Sequence, residues 1–216
     1  MNKALARFAY CLLISVLILS CSKEDADDSN PVGSEAVFAG KYDSSFSYYD
    51  FDPDFQIPIV WDSLRLYGGG YDSLDLDSDG HFDLYVTLSL LNPDSMHLMN
   101  GLPNPFPFCR VETSGEFECA YYSESYPIGL GQTGTASFVD RLDFEERLDT
   151  LSDWRAQGRM WQENPGYAGN PPFGEWAFAV STHYIGIKNA ENKYGWIEVD
   201  ASDPENLSFL SCAFQE

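Results

Sequence analysis

The chain has 216 residues, of which 34 are acidic and 12 are basic, and its formal net charge is −22. A surface this negative repels the phosphates of nucleic acids, so nucleic-acid binding is excluded. About 180 residues follow the N-terminal segment, which is enough for a single domain with one sizeable core.

Residues 1–20 have the layout of a secretory signal. Lys3 and Arg7 precede an apolar run from Phe8 to Leu19, which is too short for a spanning helix. The tetrapeptide ILSC, which ends at Cys21, resembles the lipobox of bacterial lipoproteins. The resemblance implies a diacylated Cys21 that anchors the chain to the outer membrane. An ordinary signal peptide with an incidental cysteine is the alternative.

Residues 21–36 are acidic and polar and lack apolar periodicity, which predicts a flexible tether. The stretch SKED after the cysteine resembles the export signal of Bacteroidota surface lipoproteins. A linker on a periplasm-facing protein is the alternative. Because residues 1–20 contain Lys3 and Arg7 and no acid, cleavage would change the net charge to −22 − 2 = −24.

Residues 37–216 combine many aromatic residues with short alternating runs and frequent Gly, Pro, Asn and Asp breaks. This combination predicts one all-β domain, an antiparallel β-sandwich of jelly-roll type. The clearest strand is FDLYVTLSLL, for which a period of two predicts one buried face. That face would contain Phe82, Leu84, Val86, Leu88 and Leu90, with Asp83, Tyr85, Thr87 and Ser89 opposite.

The stretch CRVETSGEFEC predicts a β-hairpin with Gly115 in its turn. In that register Cys109 faces Cys119, which predicts a disulfide in an extracellular protein. Cys212, on an apolar face of the final strand, is predicted to be a buried free thiol.

Residues 138–154 contain the only helical pattern that we identify. Val139, Leu142, Leu148, Leu151 and Trp154 fit a helical stripe, whereas Phe144 does not. We therefore expect at most one short helix, in this segment.

The stretch THYIGIKNAENKYGWIEV predicts a second hairpin with its turn at residues 189–193. Its isoleucines can fill a core, and the other face then carries Tyr184, Tyr194 and Trp196. These three aromatic residues form either a covered second face of the sandwich or an exposed platform for a glycan or peptide ligand.

A run of acids between residues 75 and 83 predicts a calcium loop. The spacing D-x-D-x-D-G-x-x-D places four carboxylates around one point, and the glycine supplies a sharp turn. The predicted ligands are the side chains of Asp75, Asp77, Asp79 and Asp83 and the backbone carbonyl of His81. Loop position 12 is Val86, so this is not an EF-hand. A solvated Asp-rich turn is the alternative, and Asp50, Asp52 and Asp54 are a reserve ligand set.

A catalytic role for these acids is less favoured, because clustered carboxylates on a turn stay ionised. None of the three histidines stands beside a nucleophile in a recognisable motif. We therefore expect no enzyme.

The order of the motifs DxDPD, DxDxDGxxD and a Tyr-Gly-Trp-Ile strand resembles that of uncharacterised Bacteroidota surface and secreted proteins. The resemblance supports an all-β fold and calcium. The sequence therefore predicts a surface lipoprotein whose calcium-stabilised β domain has a non-catalytic binding or structural role. A carbohydrate- or glycopeptide-binding module is the first alternative, and a glycan-degrading enzyme is the second.

Overall fold

A computed structural model of the chain describes residues 36–64, 66–77, 79–91, 107–129, 132–148, 153–162 and 172–216. These residues belong to one compact unit, Ala36–Glu216. The predicted signal peptide, the predicted lipid acceptor Cys21 and the predicted tether up to residue 35 lie outside the described residues. No helix in the described part is long and apolar enough to cross a membrane.

The described residues form β-strands and two short 3₁₀ helices, so the predicted all-β fold is confirmed. The 3₁₀ helices are Glu175–Phe178 and Pro204–Asn206. The strands are β1 (Val37–Phe38), β2 (Phe46–Gln56), β3 (Val60–Trp61), β4 (Tyr67–Leu74), β5 (Leu84–Leu91), β6 (Phe108–Thr113), β7 (Phe117–Gly129), β8 (Gln132–Val139), β9 (Arg147–Leu148), β10 (Asp153–Arg155), β11 (Gln157–Gln162), β12 (Thr182–Asn189), β13 (Tyr194–Asp200) and β14 (Ser208–Gln215).

One large sheet contains every described strand except β1 and β9, which pair with each other. Its order is β2-β14-β13-β12-β7-β8-β11-β6-β5-β4-β3, and β10 pairs with β7 beside this path. Neighbouring strands run antiparallel apart from β11 and β8. The sheet curls so that side chains of β5 and β6 share one core with side chains of β12, β13 and β14. The result is a sandwich-like single domain.

Strand β5 shows how the alternating pattern fills this core. Leu84, Val86, Leu88 and Leu90 are all buried, as the period of two predicts. The prediction for the two preceding residues is wrong: Phe82 is 54% exposed and Asp83 only 2%. The strand begins at Leu84, so Phe82 and Asp83 belong to the loop, where alternation does not apply.

The predicted hairpin of residues 182–200 is present as β12 and β13, with Ile185 opposite Ile197. Its isoleucines face the main core. The opposite face lies under the small sheet of β1 and β9, and Val37 and Leu148 pack there with Trp196. The domain therefore has a third, partial layer.

The predicted helix in residues 138–154 is wrong for the described part of that segment. Residues 147–148 and 153–155 are strands, and Leu142 forms a β-bridge with Tyr184. Glu145 has a φ of 65°, which interrupts any regular helix. The apolar residues that suggested a stripe are instead divided between the two cores, with Val139 in one and Leu142 and Leu148 in the other.

The predicted pairing of Cys109 with Cys119 is also wrong. Strands β6 and β7 are not hydrogen-bonded neighbours, because residues 153–162 lie between them. Cys109 is paired with Trp161 and Cys119 with Arg155. Both cysteines are buried free thiols, and so is Cys212, as predicted.

Candidate metal loop and neighbouring surface

The acidic loop connects β4 to β5, with Leu74 and Leu84 paired at its base. The backbone N–H of Asp83 donates to the Leu74 carbonyl at 2.8 Å, which closes the loop. Gly80 has a φ of +91°, a conformation that other residues rarely adopt. This explains why the turn needs glycine at that position.

Three of the predicted ligands converge. Carboxylate oxygens of Asp75, Asp77 and Asp83 all lie within 4.8 Å of one another. Each carboxylate also accepts a hydrogen bond from a loop amide: Asp75 from Gly80 (2.9 Å), Asp77 from Asp79 (3.1 Å) and Asp83 from Leu76 (2.7 Å). The loop backbone thus fixes the orientation of all three.

The other oxygen of Asp75 has a different environment. Asp75 Oδ1 is buried and accepts no hydrogen bond from the described residues. A buried carboxylate oxygen without a partner is costly, because it has lost its hydration. A cation bound between the three carboxylates would compensate for this loss.

Asp83 is the most buried of the three acids, with 2% exposure. Burial raises the pKa of Asp83, the hydrogen bond from the Leu76 backbone N–H partly opposes this, and the nearby carboxylates of Asp77, Asp75 and Asp79 raise the pKa further. The charged form is therefore disfavoured by both desolvation and repulsion. Hard oxygen ligands of this kind suit calcium, which accepts six to eight oxygens in flexible geometry.

The remaining predicted ligands lie at the edge of this group. Asp79 is exposed, and its carboxylate accepts a hydrogen bond from the backbone N–H of His81 at 2.7 Å. His81 is also exposed. The reserve residues Asp50, Asp52 and Asp54 are exposed on β2 and are not in the converging group.

The predicted aromatic platform is wrong, because Tyr184, Tyr194 and Trp196 are buried to 8%, 6% and 2% exposure. The Trp196 indole N–H donates to the Lys41 carbonyl at 2.9 Å, so the segment before β2 covers it. The alternative of a covered second face is the correct one. Two tyrosines stand outside this cover: Tyr42 and Tyr48 stack with ring centroids 4.2 Å apart.

Sequence reasoning missed a Ser–His–Asp arrangement. Ser181 Oγ lies 3.3 Å from His183 Nε2, and His183 Nδ1 lies 3.0 Å from Asp143 Oδ1. The Asp143 side chain is 72% exposed, so its carboxylate is solvated, unlike the buried aspartate of a catalytic triad. We interpret the three residues as a hydrogen-bonded link between residues 140–146 and β12. The sequence contains no signal for it, since Asp143 is far from His183 in the chain.

No protein-family model, curated protein or solved structure matches this chain.

Proposed function

We propose that this protein is a surface-anchored bacterial lipoprotein whose β domain is stabilised by calcium and serves a non-catalytic binding or structural role. The observation that carries the calcium part of the proposal is the convergence of the carboxylates of Asp75, Asp77 and Asp83, together with the buried, unpartnered Oδ1 of Asp75. Without a cation, three clustered carboxylates repel one another. A bound calcium ion replaces that repulsion with attraction.

The experiment is thermal unfolding with a chelator, with calcium and with magnesium. An ion that binds only the native state stabilises it by RT ln(1 + [L]/Kd), about 2.7 kcal/mol at a hundredfold excess over Kd. For a chain of this size, that corresponds to about 5–11 °C in Tm. Calcium should act more strongly than magnesium, which requires a tighter octahedral shell.

Two variants locate the site. Asp77→Asn should abolish most of the calcium response, because it removes a ligand charge from the converging group. Asp54→Asn, which removes the same charge from exposed strand β2, should leave the response unchanged. A melting curve insensitive to calcium and chelator in the unmutated protein would reduce the loop to a solvated turn.

The anchor is tested separately. If Cys21 is the acyl acceptor, Cys21→Ala should move the protein from the membrane fraction to the soluble fraction. A Cys21→Ala protein that still fractionates with membranes would show that no lipid on this cysteine holds it there.

A further inference from the structure

One groove on this acidic protein is lined by three arginines. Arg110 on β6, Arg155 on β10 and Arg159 on β11 surround a groove of about 710 Å³. The whole chain has only 12 basic residues against 34 acidic ones. The volume falls within the range of about 300–1,000 Å³ that is typical of small-ligand sites.

The charges in the groove are only partly compensated. The one carboxylate in the lining, Glu118, pairs with Lys188 at 3.2 Å. The arginine ion pairs join Arg110 to Glu112 and Arg155 to Asp153, the second at 2.8 Å. Both ion pairs are exposed to solvent, and such pairs contribute about 0–1 kcal/mol, so an anionic ligand can compete for the guanidinium groups. Arg159 is half-buried, and its side chain has no ion-pair or hydrogen-bond partner among the described residues.

Neutral side chains help to hold two of the three arginines in place. Arg155 donates to Ser137 Oγ at 2.6 Å, and Arg110 donates to Gln157 Oε1 at 3.0 Å. A guanidinium that is already oriented loses less entropy when it binds an anion, and its planar fork matches carboxylate and sulfate oxygens. The groove is therefore preorganised for an anionic group.

The rest of the lining favours a sugar over a peptide. Thr135, Ser137 and Gln157 offer hydroxyl and amide groups, and the half-buried Trp154 adds an aromatic ring. At Arg159, strand β11 is hydrogen-bonded between β6 and β8, so it offers no free edge to an extended peptide.

We propose that this groove binds the carboxylate or sulfate groups of an acidic oligosaccharide. The inference rests on the binding role proposed above and names its ligand class, but it does not involve the calcium loop. At about 0.15 M salt the Debye length is about 8 Å, so the negative charge elsewhere on the protein is largely screened. Arg159 then carries the uncompensated positive charge of the groove, because Arg110, Arg155 and the lining carboxylate of Glu118 each have an ion-pair partner.

Isothermal titration of the full chain, with excess calcium, tests the proposal with three short oligosaccharides. Trigalacturonate carries carboxylates, a carrageenan-derived tetrasaccharide carries sulfates, and maltotriose is neutral. We expect binding of at least one charged sugar and none of maltotriose. Binding of trigalacturonate alone identifies the carboxylate as the recognised group, and binding of the carrageenan fragment alone identifies the sulfate.

The variant Arg159→Gln should weaken binding about tenfold or more, the usual loss for one charge-assisted contact. Arg147→Gln, which removes the same charge from an exposed position on β9, should bind like the unmutated protein. Equal losses in both variants, or no binding of either charged sugar, would overturn the proposal. Tighter binding of a glutamate oligopeptide would also overturn it, in favour of a protein partner.

A normal calcium response in the melting experiment, combined with no sugar binding, would reject the groove and leave the calcium loop standing. If the protein shows no calcium response but binds a charged sugar, and Arg159→Gln loses that binding, the calcium loop is rejected and the groove is supported. The two failures are therefore distinguishable.

Discussion

Replacing Gly158 with alanine should destabilise the domain, because β11 passes directly over the ring of Tyr121. A Cβ atom on Gly158 would overlap Oη, Cε1 and Cζ of that ring. Tyr121 is only 3% exposed and is held from β7, so it cannot swing into solvent. Overpacking of this kind costs about 1–3 kcal/mol. For a chain of this size, the expected loss is about 2–12 °C in Tm.

Gly69→Ala is the matched control, since Gly69 also lies in a strand, and its added Cβ would meet only the Leu88 carbonyl, at 3.8 Å. It should be neutral or stabilising by about 0.4–1 kcal/mol, because alanine restricts the unfolded chain. Both variants are compared by thermal and urea unfolding. A double-mutant cycle adds Tyr121→Leu, which removes the overlapping atoms and should cancel most of the Gly158→Ala penalty. If Gly158→Ala is as stable as Gly69→Ala, the placement of β11 over Tyr121 is refuted.

Burial raises the pKa of Cys109, Cys119 and Cys212 to about 12, so iodoacetamide at pH 8 should modify them only after denaturation, and mass spectrometry should find no native bridge. A Cys109–Cys119 bridge in the native protein would contradict the insertion of β10 and β11. Burial, with a smaller contribution from Glu146, raises the pKa of Asp140, so the native state binds the proton more tightly than the unfolded chain does. The domain therefore loses stability as the pH rises from the ordinary pKa of an aspartate to the raised pKa of Asp140. Asp140→Asn should therefore raise Tm at pH 7 and change it little at pH 3; an increase of the same size at both would exclude this cause. Leu148→Ala should cost about 2–5 kcal/mol in urea unfolding, because Leu148 is 3% exposed in the layer that covers Trp196. A loss below about 0.5 kcal/mol, the usual size of a surface substitution, would mean that this layer does not pack.

Local patterns predicted the parts of the fold that depend on residues close together in the sequence. The alternation in β5 and the turn between β12 and β13 are set within a few residues, and both predictions are confirmed. The pairing of Cys109 with Cys119 failed because a distant segment, β10 and β11, enters between two strands that look like a hairpin. The sequence gives no local sign of such an insertion.

The candidate sites also differ in whether their residues are close together in the sequence. Asp75, Asp77 and Asp83 lie in one loop, so their spacing alone predicted that they converge. The arginine groove draws on β6, β10 and β11, and only the topology of the sheet brings Arg110 close to Arg155 and Arg159. The burial of Trp196 depends on residues near the start of the domain, which no pattern within its own hairpin reveals.

Strand β2 lies at one end of the large sheet and pairs only with β14 among the described strands. An open strand edge can template pairing with a second molecule, and charged side chains are a common protection against this. Asp50, Asp52 and Asp54 are exposed along β2. If two copies met edge to edge, three carboxylates from each would face one another across the new pairing. These aspartates, which take no part in the converging group of the acidic loop, therefore oppose self-association at this edge of the sheet.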